Sequence, residues 1–124
     1  MSEKAVQQRE SRYVPASKEW KPLPFEGVFL KTLYRFEEGG STVLIKMEPN
    51  SSFPLHTHPA DEEVYVIEGE VRVGKYQLSQ GDYLFTPQET IHAPFTREGC
   101  ILFARSSKAL EFLKKEKNTR GEKQ

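Results

Sequence analysis

Cysteine is nearly absent from this chain: Cys100 is the only one, so no disulfide can form within it. A small domain without a disulfide frame fits a reducing compartment, and a cytoplasmic location is expected. Charge of one sign is missing too. Eighteen basic and eighteen acidic side chains cancel, with no basic stripe along the sequence. Nucleic acid is therefore not the expected partner. No apolar run approaches the ~18 residues that span a bilayer, and the N-terminus lacks the apolar core of a signal peptide, so no membrane partner is expected. Histidine is scarce as well, limited to His56, His58 and His92.

What is present is unevenly spread. The chain has 124 residues, enough for one domain, and 36% of them are hydrophobic. Met1–Arg12 and Lys114–Gln124 hold few large apolar residues and read as mobile tails. The sequence divides into an N-terminal polar segment (1–19), a central barrel (20–106), and a C-terminal short helix with a polar tail (107–124). A core of roughly 95 residues is small, so burial of further area in a homodimer is expected.

Strands dominate the centre. Val28–Phe36 and Thr42–Met47 are β-branched and aromatic runs joined by Glu37-Glu38-Gly39-Gly40, the pattern of a hairpin closed by glycine. Phe53–His58 reads as a short strand. Glu63–Glu68 reads as another, ended by Gly69, and a hairpin follows from Glu70–Val73 and Lys75–Leu78 about Gly74. Tyr83–Thr86, Ile91–Phe95 and Cys100–Ala104 complete the set. Several short strands punctuated by glycine and proline indicate an all-β barrel or sandwich. Lys108–Lys117 alone has a helical pattern, with Leu110, Phe112 and Leu113 on one side.

The histidines carry the chemistry. Residues two apart on a strand point to one face, so His56 and His58 project side by side. Both can then reach a single ion at ~2.0–2.1 Å. Glu62 lies beyond the turn Pro59-Ala60-Asp61, where the next strand can bring its carboxylate alongside. On that strand Glu62, Val64 and Val66 share one face, and Glu63, Tyr65 and Ile67 the other. His92 follows the turn Pro87–Ile91, which can return the chain to the same interior. Three imidazoles and a carboxylate suit one divalent transition ion such as Zn, Fe, Mn, Ni or Cu, and do not suit Ca or Mg.

At these residues the sequence resembles the cupins, whose small double-stranded β-helix or jelly-roll barrel becomes the expected fold. The first cupin motif maps onto Asn50, His56, His58, Glu62 and Gly69, with Asn50 replacing a glycine. The second maps onto Gly81, Pro87, Glu89, His92 and Thr96, with Glu89 replacing glycine and Thr96 replacing Asn. The six-residue count back from Gly69 selects Glu62 over Glu63 as the carboxylate ligand. The resemblance thus implies a metal site of His56, His58, Glu62 and His92.

The text PLHTHPADEEVYVIEGEV and GDYLFTPQETIHAPFTREGCILFA narrows the likeness to the cupin-like domain of ChrR-type proteins, over about residues 20–106. That group joins such a cupin to a helical zinc domain that holds a sigma factor, and no counterpart of that domain is expected within these 124 residues. The resemblance implies two functions. One is a metal-dependent dioxygenase-type enzyme acting on a small oxygen-containing, β-dicarbonyl-like substrate. The other is a zinc-binding module that senses a ligand or oxidant without catalysis. Sugar isomerases, also common among cupins, rely on a His–Tyr or His–Asp pair, and no histidine is left over for one. Cys100 reads as a small buried residue. Tyr34, Tyr65, Tyr83, Phe53, Phe85 and Phe95 read as core or dimer interface. Arg35 and Arg105 are candidates to hold an anion if they point inward.

Overall fold

The computed structural model describes residues 9–54, 56–57, 60–108 and 111–112. Among them every regular element is a strand, and all pairings are antiparallel. In chain order the strands are β1 (Lys21–Pro22), β2 (Val28–Arg35), β3 (Ser41–Met47), β4 (Ser51–Ser52), β5 (His56–Thr57) and β6 (Glu62–Val73). They continue with β7 (Tyr76–Ser79), β8 (Tyr83–Thr86), β9 (Ile91–His92), β10 (Phe95–Thr96), β11 (Cys100–Ser106) and β12 (Glu111–Phe112).

The large sheet runs β1-β2-β3-β11-β6-β10-β4, with β7 and β8 also pairing to β6. A second, three-stranded sheet runs β12-β5-β9. The long β6 ties the structure together. Its first half pairs with β11 and β8, and its second half with β7 and β10. This curled arrangement is the all-β jelly roll expected from the sequence.

Burial follows strand alternation, as the pleat requires. On β6, Glu62, Val64 and Val66 face inward and their odd-numbered neighbours face out. After Gly69 the inward residues become Val71 and Val73, a change of parity. The register explains it: Ile101 pairs with Glu68 and Leu102 with Val66, leaving Ile67 as an extra residue in a β-bulge. Val28, Ile45, Met47, Phe53, Leu78, Cys100, Leu102 and Ala104 complete the core with these valines.

Several sequence expectations need correction. Gly69 does not end a strand but kinks a continuous one, at φ +86°. A Cβ there would stand 2.1 Å from the Gly99 carbonyl oxygen, so the close approach of β6 to the chain entering β11 requires glycine. Of the strand expected over Phe53–His58, only His56–Thr57 (β5) is a strand among the described residues, and Phe53 and Pro54 belong to none. Ile91–Phe95 breaks at Pro94, because proline offers no N–H to the ladder. The helix expected at Lys108–Lys117 is not supported where that segment is described. Glu111 and Phe112 form β12, paired with Thr57 and His56, and the rest of the segment apart from Lys108 lies outside the described residues.

The approach to β1 is bound to the outside of the barrel. Lys18 donates to the Thr32 carbonyl at 2.7 Å and Lys31 to the Ala16 carbonyl at 3.0 Å. The Trp20 ring covers the ammonium groups of Lys31 and Lys46, at 4.7 and 5.1 Å from its centroid. Among the described residues no helix is long and apolar enough to cross a membrane.

Candidate metal centre

The small sheet positions the histidines. His56 on β5 stands directly opposite His92 on β9, so their side chains are cross-strand neighbours. Glu62 opens β6 on its inward face, opposite Thr86 of β8 and Ser106 of β11. His56, Glu62, Thr86 and His92 line one internal cavity of about 40 Å³, whose remaining wall is apolar: Ile45, Met47, Phe53, Val64, Leu102 and their neighbours. That volume suits a single ion or water rather than an organic molecule.

His56 is almost fully buried, and its ring packs edge-on against Phe53 at 5.3 Å. Its Nδ1 lies 2.8 Å from the Pro54 carbonyl oxygen. A carbonyl can only accept, so Nδ1 carries a proton, and in the neutral ring Nε2 carries the lone pair. This is how a backbone carbonyl orients an imidazole for ligation through its other nitrogen. The His92 ring, half-buried, lies beside the β6–β7 turn near Gly74. His58 lies outside the described residues. Among the described residues no three His, Cys, Asp or Glu side chains form a group arranged to hold an ion.

Glu63 has the opposite environment. On the outer face, its carboxylate accepts a hydrogen bond from the Tyr83 hydroxyl at 3.0 Å and lies 3.8 Å from the Arg105 guanidinium. Lost hydration and that carboxylate hold the Tyr83 phenol above its ordinary value. Arg105 also stacks over Phe36 and is directed outward. Arg35 is exposed on a separate cleft. Neither arginine lines the ion-sized cavity, whereas Arg105 also borders a larger chamber beside it.

Cys100 is buried on β11 opposite Met47 and Gly69. Burial pushes its thiol up to about 12, with the Glu70 carboxylate adding to the rise. It is protonated at neutral pH and lines neither cavity near Glu62. A low-pKa oxidant sensor needs the reverse environment.

The sequence reading missed a second chamber. About 210 Å³ in volume, it adjoins the inner cavity, and both share Ile45, Phe53 and Glu62. Its wall is mainly apolar, from Leu23, Leu30, Val43 and Ala104, with Ser41, Arg105, Ser106 and Lys108 supplying polar groups. Glu62 thus stands between an ion-sized space and a space for a small organic molecule. Thr86 was also missed, although its parity with Leu84 in Tyr83–Thr86 marks it as inward.

An all-β jelly roll with histidines and a glutamate facing one internal cavity defines the class as a cupin. Residues 8–109 match the family described as the ChrR cupin-like domain, and the chain belongs to that family. Among curated proteins none matches by sequence. Solved structures confirm the fold. An acetylacetone dioxygenase from Acinetobacter johnsonii is similar with a TM-score of 0.80 at 20% identity, over 93% of this chain and 86% of that one. The anti-sigma protein ChrR of Rhodobacter sphaeroides, solved with SigE, gives a TM-score of 0.66 at 25% identity, over 73% of this chain and 49% of that one. The polyketide cyclase RemF from Streptomyces resistomycificus gives 0.66 at 18% identity, over 90% and 89%. One barrel therefore serves different chemistries, and function must be argued from the site.

Proposed function

We propose that this protein is a metal-dependent cupin enzyme of dioxygenase type, acting on a small, β-dicarbonyl-like substrate. His56, His58, Glu62 and His92 would hold one divalent transition ion. The observation that carries this reading is the pair of adjoining cavities, with Glu62 between an ion-sized space and an apolar chamber of about 210 Å³. The orientation of His56 by the Pro54 carbonyl supports it. So does the donor chemistry: imidazole and carboxylate suit Fe, Mn, Ni or Zn. When bound, such an ion supplies Lewis acidity and a site for dioxygen or substrate oxygen. The protein's own part is to exclude water with Phe53, Val43 and Ala104 and to hold a compact apolar substrate beside Glu62.

The test is dioxygen consumption by the Fe(II)-loaded protein. Acetylacetone or a related β-dicarbonyl should drive uptake above the substrate-free rate, and Val43→Phe, which fills the chamber, should suppress it. An Fe(II)-loaded protein that consumes no dioxygen with any carbonyl, thiol or phenolic compound would sink the enzyme reading.

The family match favours a second reading, a zinc-holding regulatory module that binds a ligand and acts through a partner protein. In that case Cys100 is not the sensing group, given its burial and raised pKa. A pull-down that recovers no partner would count against it.

We also propose a homodimer formed through the outer face of β11, β6 and β8. Phe103, Tyr65 and Tyr83 form a row across three strands there, with Phe85 beside Glu63 in the next. All four aromatic residues are more than a third exposed. The outer face of an antiparallel sheet is ordinarily polar, so such a row suggests an interface. A reducing cytoplasm, where the buried Cys100 stays a thiol, completes the reading.

A further inference from the structure

Four buried hydroxyl side chains are found among the described residues, and three of them are satisfied within the fold. Ser51 donates to the Glu48 carbonyl, Thr96 to the Glu70 carbonyl, and Ser106 to the Lys108 carbonyl. Thr86 differs. It is 2% exposed, and its Oγ1 is the one buried side-chain polar atom among the described residues with no hydrogen-bond partner. An unsatisfied buried hydroxyl is disfavoured, and its persistence calls for an explanation.

Its position supplies one. Thr86 closes β8 directly opposite Glu62 on β6, and both line the ion-sized cavity with His56 and His92. Leu84, the other inward residue of β8, is apolar, and so is most of the wall. A carboxylate has two oxygens and about four lone-pair sites, so one oxygen can serve an ion while the other accepts from a hydroxyl. Hydrogen-bonding partners of this kind fix the orientation of ligating carboxylates.

We infer that Thr86 is a positioning residue of the metal centre: with a divalent ion in place, its Oγ1 donates to the Glu62 carboxylate and fixes that ligand's orientation. The inference rests on the metal-binding reading above and deepens it. The hydroxyl is unsatisfied in the fold alone and becomes satisfied on ion binding, so its removal should have opposite effects on the two states.

The experiment compares wild type, Thr86→Val and Thr86→Ser by zinc affinity, measured by chelator competition, and by thermal unfolding of the metal-free protein. Thr86→Val should weaken zinc binding about 10-fold or more, the usual effect of losing an outer partner of a metal ligand. The same substitution should raise the metal-free Tm by about 3 °C or more, because an unsatisfied polar group is replaced by a methyl. Thr86→Ser should hold zinc within about twofold of wild type. In a Glu62→Ala background, Thr86→Val should change the affinity no further. Should Thr86→Val fail to fold, Thr86→Ala carries the same zinc comparison.

Unchanged zinc affinity in Thr86→Val, or a metal-free Tm that falls, would overturn the inference while leaving the metal centre standing. A further loss in the Glu62→Ala background would overturn the route through Glu62. Wild-type protein that binds no zinc, iron, manganese or nickel would instead bring down the metal reading and this inference with it.

Discussion

Glu89 sits at φ +69° and Asn50 at φ +61°, the only residues other than glycine with positive φ among those described. Both occupy positions where the cupin motifs carry glycine, so the turn geometry is kept although the residue is not. Asn tolerates this left-handed conformation better than most residues, whereas Glu meets the full clash between Cβ and backbone. Glu89→Gly should therefore stabilise the protein by about 1 kcal/mol, read as a higher midpoint in urea unfolding. A lower midpoint would mean that the Glu89 side chain makes a contribution larger than the relieved strain. At the same scale, the choice between Glu62 and Glu63 was legible in the sequence. The count back from Gly69 favours Glu62, and strand parity sets Glu63 on the other face. The structure has Glu62 facing inward and Glu63 outward with Tyr83 and Arg105. Thr86 was equally legible by parity, but its lack of a partner appears only when the packing around it is known.

Among the elements, β6 does the most to shape the barrel, and Glu70 near its kink latches the neighbouring turn. The Glu70 carboxylate accepts from the backbone N–H groups of Arg97 and Glu98 at 2.8 and 2.7 Å, and from the Gln77 amide at 2.7 Å. The Glu98 N–H is the largest influence holding its carboxyl below the ordinary value of 4.5, with Gln77, Arg97 and Thr96 adding to it. A carboxylate with a depressed folded pKa stabilises the fold above its unfolded pKa and loses that contribution as pH falls through the folded value. Glu70→Gln should therefore cost about 1 kcal/mol at pH 7, a modest figure because the carboxylate is only partly buried. The gap between wild type and variant should narrow as pH falls below 4.5, as followed by urea midpoints from pH 7 to 3. A constant gap would show that the charge is not what matters.

The β2–β3 hairpin was legible because its alternation and its Glu-Glu-Gly-Gly turn are local signals. The kink at Gly69 was not, since glycine marks a turn and a bulge alike. Only the approach of Gly99 distinguishes them, and that contact is 30 residues away in the chain. β12 was missed for a similar reason. Lys108–Lys117 has a helical period, but a two-residue pairing with His56 and Thr57 decides the structure of Glu111 and Phe112.

For the whole molecule, the barrel brings three separate stretches of chain to one interior: His56 from β5, Glu62 from β6 and His92 from β9. The adjoining chamber draws on a fourth, Leu23 and Leu30 beside β1 and on β2. No local pattern announces such a chamber, because its volume depends on how the N-terminal approach packs over the sheet. The outer face gives a further prediction at this scale. Wild type should be a dimer by light scattering at micromolar concentration, and Tyr65→Glu or Phe103→Glu should halve the mass with the fold retained. A wild type that is monomeric throughout would remove the interface proposed for β11, β6 and β8.

The central claim is a metal centre in which Glu62 joins the histidines, and one measurement bears on it most directly. Protein purified without chelators or a metal-affinity tag should be analysed for metals, as wild type and as His56→Ala and Glu62→Ala. The account predicts about one divalent transition ion per wild-type chain, with loss or strong depletion in both variants. Wild type devoid of such an ion would contradict it outright. Full retention in Glu62→Ala with loss in His56→Ala would replace it with a centre built from the histidines alone.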